Sequence, residues 1–199
     1  KILDKYCDIV LVGDSLGNVL YGMENTHSVT KEMMINHAIS VKKGLNKALC
    51  VVDMPKNTYN SPNEAKKNAQ QIIQRSKCEA VKIESNKKNY NIIKHLVRSK
   101  INVAGHIGFT PQHSSKFKVK GKSILEEKKL IKEAIKIEEA GAFCVILECI
   151  SAETSKKITE LLKIPTIGIG SSKNCDGQIL VTDDIIGLSG FYPKFIRKY

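Results

Sequence analysis

Three carboxylates stand at the ends of successive apolar runs, and their chemistry suits a divalent metal ion. Asp14, Asp53 and Glu84 each follow or end one run, and Lys82 lies two residues before Glu84. Neighbouring parallel strands are about 4.8 Å apart, so carboxylates at adjacent strand ends repel unless a cation lies among them. Carboxylate oxygens of this kind favour Mg²⁺. We predict a metal site here; in the alternative, each carboxylate caps a helix or pairs with a lysine.

Two further polar residues follow apolar runs and are candidates for proton transfer or substrate binding. Glu148 has apolar neighbours in the sequence, which makes it a candidate general base. The alternative is a buried glutamate that pairs with a lysine or caps the helix beginning near Ser151. His106 is predicted to hydrogen-bond a substrate or a metal-ligating carboxylate, and a purely structural hydrogen bond is its alternative.

These residues must be positioned by short strands, because the chain alternates apolar runs with amphipathic segments. Each run has four or five residues, mostly rich in Val and Ile and without polar alternation, which is typical of strands buried on both faces of a parallel sheet. The predicted strands are 9–12, 48–52, 80–83, 101–104, 143–147, 165–169 and 178–181.

The segments between the runs carry helix start and stop signals. Ser61 and Ser123 are each followed three residues later by a glutamate, as in a capping box, and Gly44 and Gly141 stand where helices should end. One helix is predicted after each of these two serines. The other predicted helices are 30–43, 86–99 and 151–162.

Repeated strand–helix units predict a parallel α/β fold. An eight-stranded barrel usually takes about 250 residues, whereas this chain has 199 residues and seven visible runs. The first residues also look helical. We therefore expect a single (β/α) barrel domain over residues 1–199, a (β/α)8 TIM barrel that lacks its first strand and is truncated at both ends. A seven-stranded open sheet is the alternative.

The formal net charge of +12 raises the question of a nucleic-acid partner. Nearly all the positive charges are lysines, which are spread over helix surfaces, and only three arginines occur. Nucleic-acid readers usually rely on arginine for bidentate contacts, so we expect no nucleic-acid partner. No run reaches the roughly 18 apolar residues of a membrane helix, and residues 1–8 lack a signal-peptide pattern. A cytoplasmic location without membrane contact is expected.

The six cysteines lack the C-x-x-C spacing of a structural zinc site, and several lie inside apolar runs. We predict that they are buried as small apolar side chains rather than paired in disulfides. They are Cys7, Cys50, Cys78, Cys144, Cys149 and Cys175.

Taken together, the motifs resemble those of the ketopantoate hydroxymethyltransferase (3-methyl-2-oxobutanoate hydroxymethyltransferase) family. The resemblance follows the family's order through almost the whole chain. The matching stretches are Leu11-Val12-Gly13-Asp14-Ser15-Leu16-Gly17, Val81-Lys82-Ile83-Glu84, Gly105-His106-Ile107-Gly108-Phe109-Thr110-Pro111-Gln112, Leu147-Glu148-Cys149, Ile164-Pro165-Thr166-Ile167-Gly168-Ile169-Gly170 and Asp176-Gly177-Gln178-Ile179-Leu180-Val181.

The resemblance implies a barrel of the phosphoenolpyruvate mutase/isocitrate lyase type and a step of pantothenate biosynthesis. In that step a hydroxymethyl group passes from 5,10-methylenetetrahydrofolate, the co-substrate, to 3-methyl-2-oxobutanoate, giving 2-dehydropantoate through a Mg²⁺-stabilised enolate. It also implies a homo-oligomer, a decamer in the family. By family correspondence, the metal ligands are Asp14, Asp53 and Glu84, and the proton acceptor is Glu148. The same correspondence implies that the oxo acid is bound by Asp14, Ser15, Asp53 and Lys82. His106 is assigned to substrate binding from its position in the sequence.

The chain departs from the family pattern at several points, which keeps other functions open. The first barrel strand is not recognisable, the C-terminal region stops at Tyr199, Ser85-Asn86 stands where the family tends to have glycine, and the loop 112–122 is short and very basic. One alternative is a non-catalytic or degenerate remnant of the barrel. Another is an enolate-forming lyase or mutase of the same superfamily, although these usually carry a catalytic cysteine in a Lys- or Arg-flanked loop, which is not seen here.

Overall fold

The computed structural model describes residues 1–85, 89–114, 117–188, 190 and 195–196. Its strands run β1 to β7 in chain order, and the helices between them are α1 to α7. The strands are β1 Ile9–Val12, β2 Leu49–Asp53, β3 Ala80–Glu84, β4 Val103–Gly108, β5 Cys144–Glu148, β6 Thr166–Ile169 and β7 Gly177–Gln178. The helices are α1 Leu16–Val19, α2 Lys31–Lys42, α3 Pro62–Ser76, α4 Tyr90–Arg98, α5 Ile124–Glu139, α6 Ala152–Leu161 and α7 Thr182–Ile185.

All seven strands belong to one parallel sheet, in the order in which they occur along the chain. Such an order places each strand beside the next, as in a (β/α) barrel wall, and confirms the predicted fold class. Among the described residues, β1 and β7 each pair with one neighbour only. No described helix is both long and apolar enough to cross a bilayer.

Most predicted elements are found within one or two residues of their predicted bounds, with three differences. The strand predicted at 101–104 is β4, which begins two residues later and continues to Gly108. The strand predicted at 178–181 is only Gly177–Gln178. The helical look of the first residues is wrong except for a single 3₁₀ turn at Leu3–Lys5. The start predicted for α4 at position 86 lies outside the described residues.

The predicted helix caps form because serine and threonine oxygens accept the otherwise unpaired N–H groups of the first helical turn. The Ser61 side chain accepts from the Glu64 N–H at the start of α3, and Ser123 accepts from Glu126 at the start of α5. Thr30 does the same for α2. Each cap fixes where a helix enters the layer that packs on the sheet.

The two faces of the sheet bury different sets of side chains. One face packs on the helices and forms the larger apolar core, which includes Val52, Ile83 and Ile107. The other face carries a smaller apolar cluster of buried Val51, Ala80, Ala104 and Cys144 with Ile9, Leu11, Phe143 and Ile167 packed against it. Five of the six cysteines are buried, Cys7 is partly buried, and all are free thiols.

Helix α5 approaches the sheet very closely behind β4. A Cβ placed on Gly105 would lie 2.4 Å from the Ile137 side chain, so no larger residue fits without a shift of the helix. Gly105 faces outward, and its neighbour His106 therefore points to the opposite, inner face.

Candidate functional site

The inner face of the sheet changes from apolar to polar toward the carboxyl ends of the strands. Successive side chains of a strand point to opposite faces, so the residues two or four positions after the small apolar cluster share its face. These inward-facing polar residues are Asp53, Lys82, Glu84, His106 and Glu148. Asp14 joins them from the turn directly after β1. The strand ends therefore gather the residues that the sequence singled out.

Strand register sets the neighbours within this group. Asp53 pairs with Lys82 across β2 and β3, and Glu84 pairs with His106 across β3 and β4. Lys82 Nζ lies 2.9 Å from Asp53 Oδ1, and both side chains are buried. Burial by itself lowers the pKa of Lys82, but the attraction of Asp53, Asp14 and Glu84 outweighs it and raises the pKa above its ordinary value. The lysine is therefore charged.

Asp14 and Asp53 are in direct contact. The Asp14 N–H donates to Asp53 Oδ2 at 3.0 Å, and both residues are almost fully buried. Burial, followed by the repulsion of Asp53, raises the pKa of Asp14 to about 7. Burial and a neighbouring carboxylate both disfavour the charged form of Asp14, and the attraction of Lys82 opposes them.

Glu84 joins the two aspartates through Gln112, a residue in the turn after β4. The Gln112 backbone N–H donates to Glu84 Oε2 at 3.1 Å, while its side-chain Nε2 donates to Asp14 Oδ2 at 2.7 Å. Burial, together with repulsion by Asp14 and Asp53, raises the pKa of Glu84 to about 9 against the opposing pull of Lys82. Gln112 thus hydrogen-bonds Glu84 and Asp14, and Asp14 in turn hydrogen-bonds Asp53.

Several features of this group fit a divalent cation, although no three His, Cys, Asp or Glu side chains within the described ranges are arranged as a finished metal site. Protein N–H groups occupy one oxygen of each carboxylate. Within the described residues, Glu84 Oε1 is buried without a hydrogen-bond partner, and Asp53 Oδ1 lies 2.9 Å from the ammonium group of Lys82. Hard oxygen donors with a raised pKa are what Mg²⁺ would stabilise. That Asp14, Asp53 and Glu84 share an ion stays a prediction.

His106 links the carboxylate group to Glu148. Its Nε2 lies 3.1 Å from Glu148 Oε2, and its Nδ1 lies 3.5 Å from Lys82 Nζ and 3.9 Å from Glu84 Oε1. Burial and the neighbouring Lys82 lower the pKa of His106, against the pull of Glu148. The lowered pKa disfavours the charged form of the ring.

The surroundings of Glu148 differ from those its sequence neighbours predicted. Its side chain is 18% exposed, whereas Asp14, Asp53 and Glu84 are almost fully buried. It faces His106 rather than an apolar pocket. The reason is strand alternation, because Leu147 points to the outer core while Glu148 points inward. Gly108 (φ +101°) makes this arrangement possible, since a Cβ there would lie 2.1 Å from the Glu148 carbonyl oxygen.

Ser15 stands at the edge of the same pocket. It occupies the N-cap position of the short helix α1, and its side chain makes no capping hydrogen bond there. The Cβ position of Gly13 is 3.1 Å from Ser15 Oγ and 3.7 Å from Asp53 Oδ2, so the hydroxyl and the carboxylate lie on the same side of this turn. Ser15 is placed where it can hydrogen-bond a ligand.

Sequence reasoning assigned no role to Gln112 or Tyr59, which both contact the site. The Tyr59 hydroxyl donates to Gln112 Oε1. Burial, followed by repulsion from Glu84 and the two aspartates, raises the pKa of Tyr59, so the phenol keeps its proton. The available signal was the position of Gln112 in the turn after the strand that carries His106.

Comparison with known proteins identifies the family. The sequence profile described as ketopantoate hydroxymethyltransferase matches residues 1–199, the whole chain. The chain belongs to this family. The 3-methyl-2-oxobutanoate hydroxymethyltransferase of Pelagibacter ubique is 50% identical over 199 residues, covering 100% of this chain and 77% of that protein. The enzyme of the same name from Anaplasma marginale (strain St. Maries) is 48% identical over 202 residues, covering 100% and 73%. The resemblance predicted from the motifs is confirmed.

Solved structures share the fold of this ketopantoate hydroxymethyltransferase family member. A 2,3-dimethylmalate lyase of the PEP mutase/isocitrate lyase superfamily matches with a TM-score of 0.64 at 14% identity, covering 91% of this chain and 63% of that one. A putative phosphonomutase from Burkholderia cenocepacia matches with a TM-score of 0.64 at 12% identity, covering 84% and 71%. At such identities the likeness concerns the fold alone.

Proposed function

We propose that the chain transfers a hydroxymethyl group from 5,10-methylenetetrahydrofolate to 3-methyl-2-oxobutanoate, forming 2-dehydropantoate for pantothenate biosynthesis. Water supplies the hydroxyl oxygen, and tetrahydrofolate is the second product. The observation that carries the proposal is the gathering of Asp14, Asp53, Glu84, Lys82 and Glu148 at one end of the sheet, in a chain that matches the family throughout. Assembly into a homo-oligomer in the cytoplasm belongs to the same proposal.

The three carboxylates Asp14, Asp53 and Glu84 are the residues that would hold Mg²⁺. When bound, the ion supplies Lewis-acid stabilisation of negative charge on the keto oxygen of the oxo acid. The raised pKa of Asp14 and of Glu84 supports this assignment, because a nearby cation would favour the ionised form of both groups.

Lys82 and Ser15 bind the carboxylate end of the oxo acid in this proposal. Lys82 is charged and buried beside Asp53, and it can attract an anionic substrate to the carboxyl ends of the strands. The Ser15 hydroxyl has no capping role and lies on the Asp53 side of its turn. A fixed cation and a hydroxyl hold the substrate in one orientation, which lowers the entropic part of the barrier.

Glu148 removes the proton from C3, the carbon next to the ketone, and the enolate carbon forms a bond to the one-carbon unit of the folate. Both C–N bonds of that methylene carbon break, water supplies its hydroxyl group, and the C3 proton and one proton of water end on the two folate nitrogens. The carboxylate is partly open to the interior, so a substrate can reach it, whereas the other site carboxylates are closed in. The ring of His106, with Nε2 3.1 Å from Glu148 Oε2, lies beside the base.

Exchange of the C3 proton in D₂O tests the role of Glu148 without the folate. Glu148→Gln should slow this exchange, followed by NMR of 3-methyl-2-oxobutanoate with MgCl₂ present, by about 10²–10⁴-fold, the usual contribution of a general base. Calorimetry should show unchanged Mg²⁺ binding. Glu160→Gln, on an exposed helix surface, is the matched control and should exchange at the wild-type rate. Wild-type exchange by the Glu148 variant would refute the assigned role.

A further inference from the structure

Gln112 is a buried residue outside the strands that contacts three strand ends at once. It is 1% exposed and lies in the turn after β4. Its Nε2 donates to Asp14 Oδ2 at 2.7 Å and to the Met54 carbonyl oxygen at 3.0 Å, and its backbone N–H donates to Glu84 Oε2 at 3.1 Å. One residue therefore connects the ends of β1, β2 and β3.

Its hydrogen-bond partners fix the orientation of the Gln112 amide. Nε2 faces two acceptors, so both of its N–H groups are used, and Oε1 accepts from the Tyr59 hydroxyl. A flipped amide would place a carbonyl oxygen against the Asp14 carboxylate and the Met54 carbonyl, leaving three acceptors without a donor. Three hydrogen bonds thus hold the amide in one orientation. Of its three partners, only Asp14 belongs to the proposed metal ligands.

The side-chain amide and the backbone N–H of Gln112 together decide which oxygens of Asp14 and Glu84 remain available. Gln112 occupies Asp14 Oδ2 and Glu84 Oε2, and the Asp14 N–H occupies Asp53 Oδ2. Glu84 Oε1 is left buried, with no hydrogen-bond partner in the part of the chain that the structure describes. A rotation of either carboxylate would break a hydrogen bond to Gln112, so the free oxygens are held at a fixed spacing.

We propose that Gln112 is a positioning residue that sets the affinity and the ion selectivity of the metal site. The inference rests on the proposed metal-dependent function. Mg²⁺ demands near-ideal octahedral geometry with bonds of about 2.0–2.1 Å, whereas Ca²⁺ accepts irregular geometry at about 2.3–2.6 Å. Carboxylates held rigidly by Gln112 favour the smaller ion, and carboxylates released from it lose that preference.

Titration of the whole chain with MgCl₂ and, separately, with CaCl₂ tests the proposal by calorimetry, in the absence of substrate. Gln112→Ala should weaken Mg²⁺ binding about 10–100-fold, the usual cost of losing a residue that orients metal ligands. Ca²⁺ binding should weaken less, so the preference for Mg²⁺ should fall. Tyr59→Phe removes only the hydroxyl that orients the Gln112 amide. It should weaken the binding of both ions, but by less than Gln112→Ala does.

Tyr90→Phe is the matched control, because Tyr90 OH is also buried but hydrogen-bonds none of the described residues. This variant should bind both ions as the wild type does. If Gln112→Ala does not fold, Tyr59→Phe decides alone. Wild-type Mg²⁺ affinity in the folded variants, or equal losses for the two ions, would overturn the role of Gln112. Failure of the wild-type chain itself to bind Mg²⁺ would instead overturn the proposed function.

Discussion

Separating the buried ion pair of Lys82 and Asp53 is expected to cost a large part of the chain's stability. Their charged atoms lie 2.9 Å apart, with side chains 7% and 3% exposed. At an effective dielectric constant of about 20, two unit charges at this separation attract each other by about 6 kcal/mol. The net contribution of the pair is smaller, since both charges lose their hydration. Lys82→Met nevertheless leaves a buried aspartate uncompensated, and this should cost about 3–5 kcal/mol.

A double-mutant cycle measured by urea unfolding isolates this pair. The unfolding of Lys82→Met, Asp53→Asn and the double variant is measured in the presence of EDTA. No divalent ion can then compensate the carboxylate charge that Lys82 no longer balances. We expect the two substitutions to be coupled by about 2–3 kcal/mol, because the double variant leaves no isolated charge. The control is the surface pair of Arg75 and Glu32, which are 47% and 56% exposed and 2.7 Å apart. Its coupling should stay below about 1 kcal/mol.

The outcome that would refute this reasoning is a coupling between Lys82 and Asp53 no larger than that of the surface pair. Such a result would mean that water reaches the strand ends and screens their charges. The low-dielectric surroundings inferred from the burial of Lys82 and Asp53 would then be wrong.

Two further predictions concern the backbone near the site and the response to acid. Gly108→Ala should cost at least about 3 kcal/mol in urea unfolding, because the strained φ is combined with the clash against Glu148. Gly22 has a φ of +64°, but a Cβ placed there meets none of the described neighbouring residues within 4 Å. Gly22→Ala should therefore cost only about 1–2 kcal/mol, and a cost equal to that of Gly108→Ala would contradict the proposed clash. Hydrogen bonds from backbone N–H groups, chiefly that of Ala48, lower the pKa of Asp4, so its contribution to stability is present above the unfolded value of 3.8 and is lost as the pH falls through the folded pKa. Asp4→Asn should therefore lower the Tm at about pH 7 and flatten its decline in acid, and an unchanged acid slope would contradict this.

Strand alternation explains why the site residues could be predicted from the sequence while their surroundings could not. Asp53, Lys82 and Glu84 were recognisable because each stands at or near the end of an apolar run, and the parallel register then brings them together. The open position of Glu148 was not recognisable, because its apolar sequence neighbours give no sign of which face each side chain occupies. Burial of a residue in a short strand depends on its face rather than on its neighbours in the chain.

Strand β4 and Gln112 show where local patterns carry too little information. Glycine and histidine have low strand propensity, so Gly105 and His106 were predicted to follow the strand, whereas hydrogen bonding to β3 and β5 on both sides keeps them within it. Gln112 acts on Asp14, which is 98 residues away in the chain. A contact of that separation depends on how the sheet curves, and no periodicity in the sequence encodes it.

Because α5 packs so closely against Gly105, the helix layer influences the position of the side chains on the inner face of the sheet. His106 is the next residue along the strand, so the depth to which its ring enters the pocket depends on how far the Ile137 side chain lets the strand retreat. Ile137 itself is fully buried in the outer core and reaches no substrate. A larger or smaller side chain at position 137 would thus change the distance between His106 and Glu148 from the opposite face of the sheet. This core position therefore influences the geometry of the site without belonging to it.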